Sequence, residues 1–270
     1  MHPPVRTAII PAAGMGTRLL PLTRAVPKEL LPVWKRPVLD YAVEEAVQAG
    51  IERLVVVIAP GKDALRRNFA MGGGYPQLEV AFVEQRQAAG LGDAVRRAAP
   101  RGEPVAVLLP DEVLVGGNCL RQLLACRARV GGSAVAVQKV PRADVGRYGI
   151  VDVAAPFGPE LSIKGMVEKP HPDSAPSDLA IIGRYVLDRA VIDALQHARP
   201  TVKGEVQLTD SIAATCAGAG VAAVKYHGRR FDCGSFEGLL QANVALAALD
   251  QAAAQEPGFD PGIGREANVA

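Results

Sequence analysis

Thr7-Ala8-Ile9-Ile10-Pro11-Ala12-Ala13-Gly14-Met15-Gly16-Thr17-Arg18-Leu19-Leu20-Pro21 is the stretch that decides the fold. Its first four residues read as a buried strand, and a glycine-bearing loop follows without a break. Glycines allow positive φ and close approach of a ligand. Such a loop can turn its N–H groups inward as an anion nest. Gly-x-Gly alone fits a tight strand-to-helix turn equally well. A dinucleotide fingerprint needs a third glycine where this chain has Leu19, and the Gly-Lys-Ser/Thr of a P-loop is absent. Arg18 lies inside the loop, and Lys28 follows in Pro27-Lys28-Glu29-Leu30-Leu31-Pro32. Two fixed cations beside one nest suit a triphosphate.

Working outward, apolar runs alternate with helical patterns. A helix is predicted over 38–48 with Gly50 as its stop, then a strand at 54–58, a helix at 62–69, a strand at 78–83, a helix at 91–98 and a strand at 105–109. Continuous apolar strands between helices predict a Rossmann-like α/β fold, a mostly parallel twisted sheet flanked by helices. Ligands then bind beyond the carboxyl ends of the strands. After about Pro141 the pattern changes to short extended segments at 149–151, 163–167 and 180–186. These predict a smaller β-rich subdomain, followed by helices at 206–217 and 235–254. The organisation expected is one domain over 1–254, with a first half to about 140, a second half to about 234, a C-terminal helix, and a loose tail over 255–270.

The 270 residues are 49% hydrophobic, and 30 Lys and Arg face 28 Asp and Glu, a formal net charge of +2. That balance argues against a nucleic-acid or membrane-surface binder and for a small-molecule ligand. Cys119, Cys126, Cys216 and Cys233 lack zinc or redox spacing, and free buried thiols in a reducing cytosol are expected. Neither a signal peptide nor an apolar run of membrane-spanning length is evident, so a cytoplasmic location is expected.

The opening run 10–21 with 27–32 resembles the signature of the sugar nucleotidyltransferases. Within them the chain looks closest to the bacterial UTP–glucose-1-phosphate uridylyltransferases. The likeness spans 7 to about 249 and includes Gly90-Leu91-Gly92-Asp93, Leu109-Pro110-Asp111, Tyr148-Gly149 and Val167-Glu168-Lys169-Pro170. It continues through Gly183-Arg184-Tyr185, Gly204-Glu205-Val206-Gln207-Leu208-Thr209-Asp210 and Asp232-Cys233-Gly234. The resemblance implies attack of a sugar phosphate on the α-phosphorus of UTP, glucose-1-phosphate as acceptor, Mg²⁺ as cofactor and a homo-oligomer. Positioning and charge neutralisation carry such chemistry, with no protein nucleophile.

Asp111 follows an apolar strand and Asp232 precedes a turn, so each is a metal ligand or a turn and helix-cap aspartate. By resemblance the two bind Mg²⁺, which takes few carboxylates plus phosphate oxygens and waters. The likeness also assigns Arg18, Lys28 and Lys169 to the phosphates, and Ala12, Ala13, Gly14, Gly16, Thr17, Gln85 and Gly90 to the nucleotide. Gly149 and Glu168 fall to the sugar, so the resemblance makes the half to about 140 nucleotide-binding and the β-rich half to about 234 the sugar-binding subdomain. The amide of Gln85 can pair with uracil's adjacent donor and acceptor. Lys169 cannot share a face with Glu168 unless the strand bulges or turns, as Pro170 suggests.

The chain departs from the family at four places. The 70–75 connection is short where relatives carry a helical insertion, which bears on the oligomer. Asp178 stands where asparagine is common, Asp93 where histidine is, and Glu84 where arginine is. These leave open a sister enzyme making dTDP- or CDP-sugars. A catalytically quiet nucleotide-sugar-binding paralogue is the non-enzymatic alternative, disfavoured by the joint presence of Arg18, Lys28, Asp111, Lys169 and Asp232.

Overall fold

The alternation of faces in the first strand explains the architecture. In the computed structural model, which describes residues 2–71, 75–157, 160–202, 204–218 and 220–255, Ala8 and Ile10 enter one hydrophobic cluster and Ile9 the other. Side chains of a strand alternate between faces, so a strand apolar at every position needs cover on both.

The elements in chain order are β1 (Thr7–Ala12), β2 (Pro32–Val33), β3 (Arg36–Pro37), α1 (Val38–Gln48), β4 (Arg53–Ile58), α2 (Asp63–Met71), β5 (Glu79–Glu84), α3 (Gly90–Ala98), β6 (Val105–Leu108) and β7 (Glu112–Val115). There follow α4 (Cys119–Val130), β8 (Ser133–Lys139), β9 (Gly149–Phe157), β10 (Glu160–Glu168), β11 (Leu179–Leu187), α5 (Arg189–His197), α6 (Leu208–Ala213), β12 (Val221–Lys225), β13 (Arg229–Asp232) and α7 (Phe236–Gln255). Nine strands form one sheet in the order β5-β4-β1-β6-β11-β8-β12-β10-β9. β5, β4, β1 and β6 are parallel, as the first half predicts. β11 then runs antiparallel to both β6 and β8. The strands of the second half therefore extend the same sheet, and β9 and β10 form its far edge as an antiparallel pair.

α1, α2 and α4 cover one face through Leu39, Val43, Leu65, Leu120 and Leu123. α3, α5 and α6 cover the other through Val95, Ile192, Leu195 and Ile212. A third cluster joins the small β7–β13 ladder to α7 through Val113, Phe231 and Leu246. α1 has the predicted bounds; Gly50 (φ +84°) follows it and Ile51 N–H donates to Ala46 O at 3.1 Å, closing the last turn. Asn118 caps α4 by accepting from Arg121 N–H at 2.8 Å.

α6 starts two residues later than predicted, for a physical reason. Val206 N–H donates to Ala89 O at 2.8 Å, and its carbonyl accepts from Gly92 N–H at 2.9 Å, so its backbone is committed elsewhere. Cys119, Cys126 and Cys233 are buried free thiols, while Cys216 is half-buried. No described helix is long and apolar enough to cross a membrane. Gly72–Gly74 of the short connection and residues 256–270 of the expected tail lie outside the described residues.

Candidate active site

The parallel strands β1, β4, β5 and β6 deliver their carboxyl ends to one rim, and the loops there carry most of the predicted residues. The loop after β1 is held from beneath by Lys62. Its Nζ donates to Ala12 O at 2.7 Å, to Gly14 O at 2.6 Å, and to both oxygens of the buried Glu29 at 3.0 and 2.9 Å. Burial pushes the Glu29 carboxyl up against the opposing pull of Lys62 and Lys28, and burial lowers Lys62 against Glu29. Gly16 sits at φ +66°, and a Cβ there would lie 2.9 Å from Thr23 Cγ2 and 3.2 Å from Lys28 Cβ. Thr17 and Arg18 begin the short 3-10 turn that follows. Ala13 and Gly14 stand at the loop's entry, before that turn.

Asp111 follows β6, and Asp232 ends β13. The β7–β13 ladder brings them together, with Asp232 opposite Glu112 and Cys233 N–H donating to Asp111 O at 2.8 Å. Lys28 Nζ is bonded to Asp111 Oδ2. Burial alone would lower this lysine and raise this aspartate; their pairing reverses both, holding Lys28 above its usual value and Asp111 below. Arg18 reaches Asp232 Oδ2 at 3.4 Å. A Cβ on Gly234 would lie 2.5 Å from Arg18 Nη2, 2.8 Å from Asp111 Oδ2 and 2.9 Å from Asp232 Oδ1. Gly234 thus leaves open the point where both carboxylates and one guanidinium meet.

That cradle fits a hard divalent cation. Its donors are two carboxylates, hard oxygen ligands, and the described residues hold no cluster of three or more His, Cys, Asp or Glu that could hold a metal ion by itself. Two carboxylates leave the remaining coordination to phosphate oxygens and water, the pattern Mg²⁺ prefers.

Across the rim, Glu168 pairs with Gly149 in the β9–β10 ladder. Thr209 Oγ1 donates to Glu168 Oε2 at 2.6 Å, and a Cβ on Gly149 would stand 3.2 Å from each of these oxygens. The turn expected at Pro170 exists one residue earlier. Lys169 adopts φ +47°, uncommon outside glycine, and its Nζ comes back to 3.5 Å from Glu168 Oε1. Such a conformation at a charged residue in a site is strain held by its surroundings, here by Lys169 N–H donating to Tyr148 O at 2.9 Å.

Gln85 lies just past β5 and is 5% exposed. Its Nε2 donates to Gly90 O at 3.1 Å and to Asp93 Oδ2 at 2.9 Å. Gly90 has φ +90° and packs on another chain segment, since a Cβ there would lie 2.7 Å from Val206 O. Asp178 is paired with the exposed Lys139 at 3.1 Å. Glu84 lies 3.8 Å from Arg66 at the surface.

Four side chains bonded to these segments are not singled out by the sequence. Arg147 Nη2 contacts Asp232 Oδ2 at 3.2 Å, sharing that oxygen with Arg18. Arg230 binds Glu112 through two nitrogens at 2.7 and 2.6 Å, beside both aspartates. Burial and the neighbouring Asp111 and Asp232 raise Glu112 to about 7, against the pull of Arg230. Lys62 and the fully buried Arg184 complete the set. Arg184 Nη1 donates to Leu109 O at 2.9 Å and Nη2 to Glu112 O at 2.8 Å, gripping the chain on either side of Asp111. Arg184 carries a signal in the sequence, a charge inside an otherwise apolar strand, LAIIGRYVL. Arg147 carries none.

A parallel-sheet rim with a phosphate-type loop, two cations and two converging carboxylates defines a nucleotide-handling transferase. The chain belongs to the nucleotidyl transferase family, whose match covers residues 7–248. It is similar to the UTP–glucose-1-phosphate uridylyltransferase of Komagataeibacter xylinus, 38% identical over 87% of this chain and 91% of the relative. The enzyme of the same name from Pseudomonas aeruginosa is 36% identical over 88% and 94%. Among solved structures, a UDP-glucose pyrophosphorylase complexed with UDP-glucose superimposes with a TM-score of 0.83 at 33% identity, covering 90% of this chain and 99% of that one. The UTP-bound enzyme from Acinetobacter baumannii gives 0.77 at 32% identity, covering 94% and 95%.

Proposed function

We propose that this chain transfers a uridylyl group from UTP to glucose-1-phosphate, giving UDP-glucose and pyrophosphate. The convergence of Arg18, Lys28, Asp111 and Asp232 on the point left open by Gly234 carries the reading. The curated relatives and the UDP-glucose complex support the choice of substrates.

In this reading an oxygen of the sugar phosphate attacks the α-phosphorus of UTP, and the bond to the β,γ-pyrophosphate breaks in line. Arg18, Lys28 and the N–H groups of Gly14, Gly16 and Thr17 hold the triphosphate and the leaving pyrophosphate. Ala12, Ala13 and Gln85 face the base, with Gly90 packing near it. Lys169 holds the attacking phosphate, while Glu168 and Gly149 take the sugar. Asp111 and Asp232 would hold Mg²⁺, which would neutralise charge developing on the phosphates. Each residue thus positions or neutralises, and none is modified. The reading includes a single domain over 1–254 and a cytoplasmic homo-oligomer, whose assembly light scattering measures.

The direct test is pyrophosphate release with Mg²⁺, glucose-1-phosphate and each of UTP, dTTP, CTP, ATP and GTP. Selective use of UTP is the expected result. Preference for another nucleotide would change the product within the family. No release with any nucleotide, followed by none with other sugar phosphates, would overturn the enzymatic reading.

A further inference from the structure

A carboxamide has two N–H donors on nitrogen and an acceptor on oxygen. In Gln85 both donors are engaged inside the protein, one by Gly90 O at 3.1 Å and one by Asp93 Oδ2 at 2.9 Å. Both partners are acceptors only, so the orientation of the amide is dictated by its surroundings. A flipped amide would set its oxygen against a carboxylate and a carbonyl at once.

The carboxylate is itself immobilised. Asp93 is 1% exposed and is gripped by Arg96 at 2.6 Å and Arg97 at 2.6 Å, one turn further along α3. Burial would raise its pKa, yet Arg97, Gln85 and Arg96 together hold it below the ordinary value. The carbonyl partner is fixed too, because Gly90 is clamped against Val206. What Gln85 retains for a ligand is therefore its Oε1, an acceptor.

We propose that Asp93 is a specificity-determining residue: it locks the Gln85 carboxamide with its oxygen toward the base, selecting a pyrimidine that carries N–H at ring position 3. Uracil and thymine have that donor. Cytosine has a lone pair there, which would meet the Gln85 oxygen acceptor to acceptor. The inference rests on the reading of Gln85 as the base contact and narrows it, because the amide pairs with one base group and not two. The same lock leaves uracil and thymine undivided, so their separation falls to other groups.

The test compares kcat/KM for UTP and CTP, with Mg²⁺ and glucose-1-phosphate, in the wild type and in D93N, with thermal midpoints recorded for both. The wild type should prefer UTP by more than about a hundredfold and use N3-methyl-UTP equally poorly, since a site built to bond a donor rejects analogues that lack it. D93N replaces the acceptor-only partner with an amide that serves either orientation. Loss of one charge-assisted bond should lower the UTP-to-CTP ratio about tenfold. General destabilisation lowers both values and leaves their ratio in place. An unchanged ratio in folded D93N refutes the lock. Should D93N fail to fold, wild-type use of CTP or N3-methyl-UTP at the rate of UTP refutes it independently. Q85A separates the two levels: unchanged kcat/KM for UTP in Q85A overturns the base contact, whereas impairment there with an unmoved ratio in D93N overturns the lock alone.

Discussion

Arg184→Met tests whether the strap around Asp111 is held by one buried cation. The guanidinium is fully buried and donates from Nε to Glu45 Oε2 at 2.9 Å and from its two terminal nitrogens to Leu109 O and Glu112 O. Glu45 Oε1 also accepts from Leu120 N–H at 2.8 Å, so α1, α4, β11 and the start of β7 meet at this pair. Methionine fills most of the volume but strands the Glu45 charge. Breaking a buried pair by removing one partner costs about 3–5 kcal/mol. Against a typical total of about 5–15 kcal/mol, that shift is visible in the midpoint of a urea melt. Replacing both partners, as Glu45→Met with Arg184→Met, removes the stranded charge. Burying apolar groups instead of an ion pair is often neutral, but Glu45→Met also removes the acceptor of the Leu120 N–H, so only part of the lost stability should return. Activity should not return with it, because Leu109 and Glu112 remain without their shared donor and Asp111 is less well held. Loss of an outer partner of a metal ligand typically costs about 10–100-fold in metal affinity or activity. A rise of that size in the Mg²⁺ activation constant of the stable double variant is the expected outcome. A single variant less than about 1 kcal/mol below wild type, or a double variant with an ordinary Mg²⁺ constant, would refute this reasoning.

Asp111→Asn should lower kcat/KM by more than the roughly 100-fold that loss of an outer partner costs, with the far-UV spectrum unchanged. A turnover and Mg²⁺ dependence like those of wild type would remove Asp111 from the cation site. Lys169→Ala should raise KM for glucose-1-phosphate and leave KM for UTP near its original value; the reverse pattern would exchange the two phosphate roles. Burial pushes the Asp40 carboxyl up to about 6, opposed by Arg36 and Asn68. The folded state then holds that proton more tightly than the unfolded chain. Its contribution is complete below the ordinary value of 3.8 and is lost as pH rises through about 6. Asp40→Asn should flatten this part of the stability profile, measured as urea midpoints between about pH 4 and pH 8. Parallel profiles for the two proteins would show that Asp40 titrates normally.

Local patterns made the first half of the fold legible. The 38–48 helix has its predicted limits, and the strands over 53–58 and 105–108 differ from prediction by one residue, because apolar period and glycine stops are properties of adjacent residues. The β7–β13 ladder is of another kind. Its strands have four residues each and pair across more than a hundred residues of chain, so neither carries a strong signal alone. The site divides in the same way. Arg18 and Lys28 stand out in the sequence as cations beside the glycine-bearing loop, and Asp111 and Asp232 through the family resemblance; the fold brings these four side chains together. Arg147 and Lys62 acquire meaning only from folding, which sets one on Asp232 and the other under the loop carbonyls. Asp93 is visible in the sequence as a departure from the family, whereas its bonds to Gln85, Arg96 and Arg97 appear only in the fold.

Each of the two site carboxylates already carries a cationic partner, and that bears on how the site works. Lys28 is bonded to Asp111, while Arg18 and Arg147 share Asp232. On the proposed reading, an arriving triphosphate brings anions for the arginines and lysine, and its cation takes the two carboxylates. Each protein charge then exchanges one partner for another without being left alone. This matters because an unpaired charge in a buried site costs several kcal/mol. The pairs seen in the free site therefore hold Lys28 and Asp111 ionised and close to where they are needed, so little reorganisation is left for the reacting complex. The same logic assigns Gly234 its place: any side chain there would occupy the gap that allows Arg18, Asp111 and Asp232 to meet, and partner exchange requires that gap.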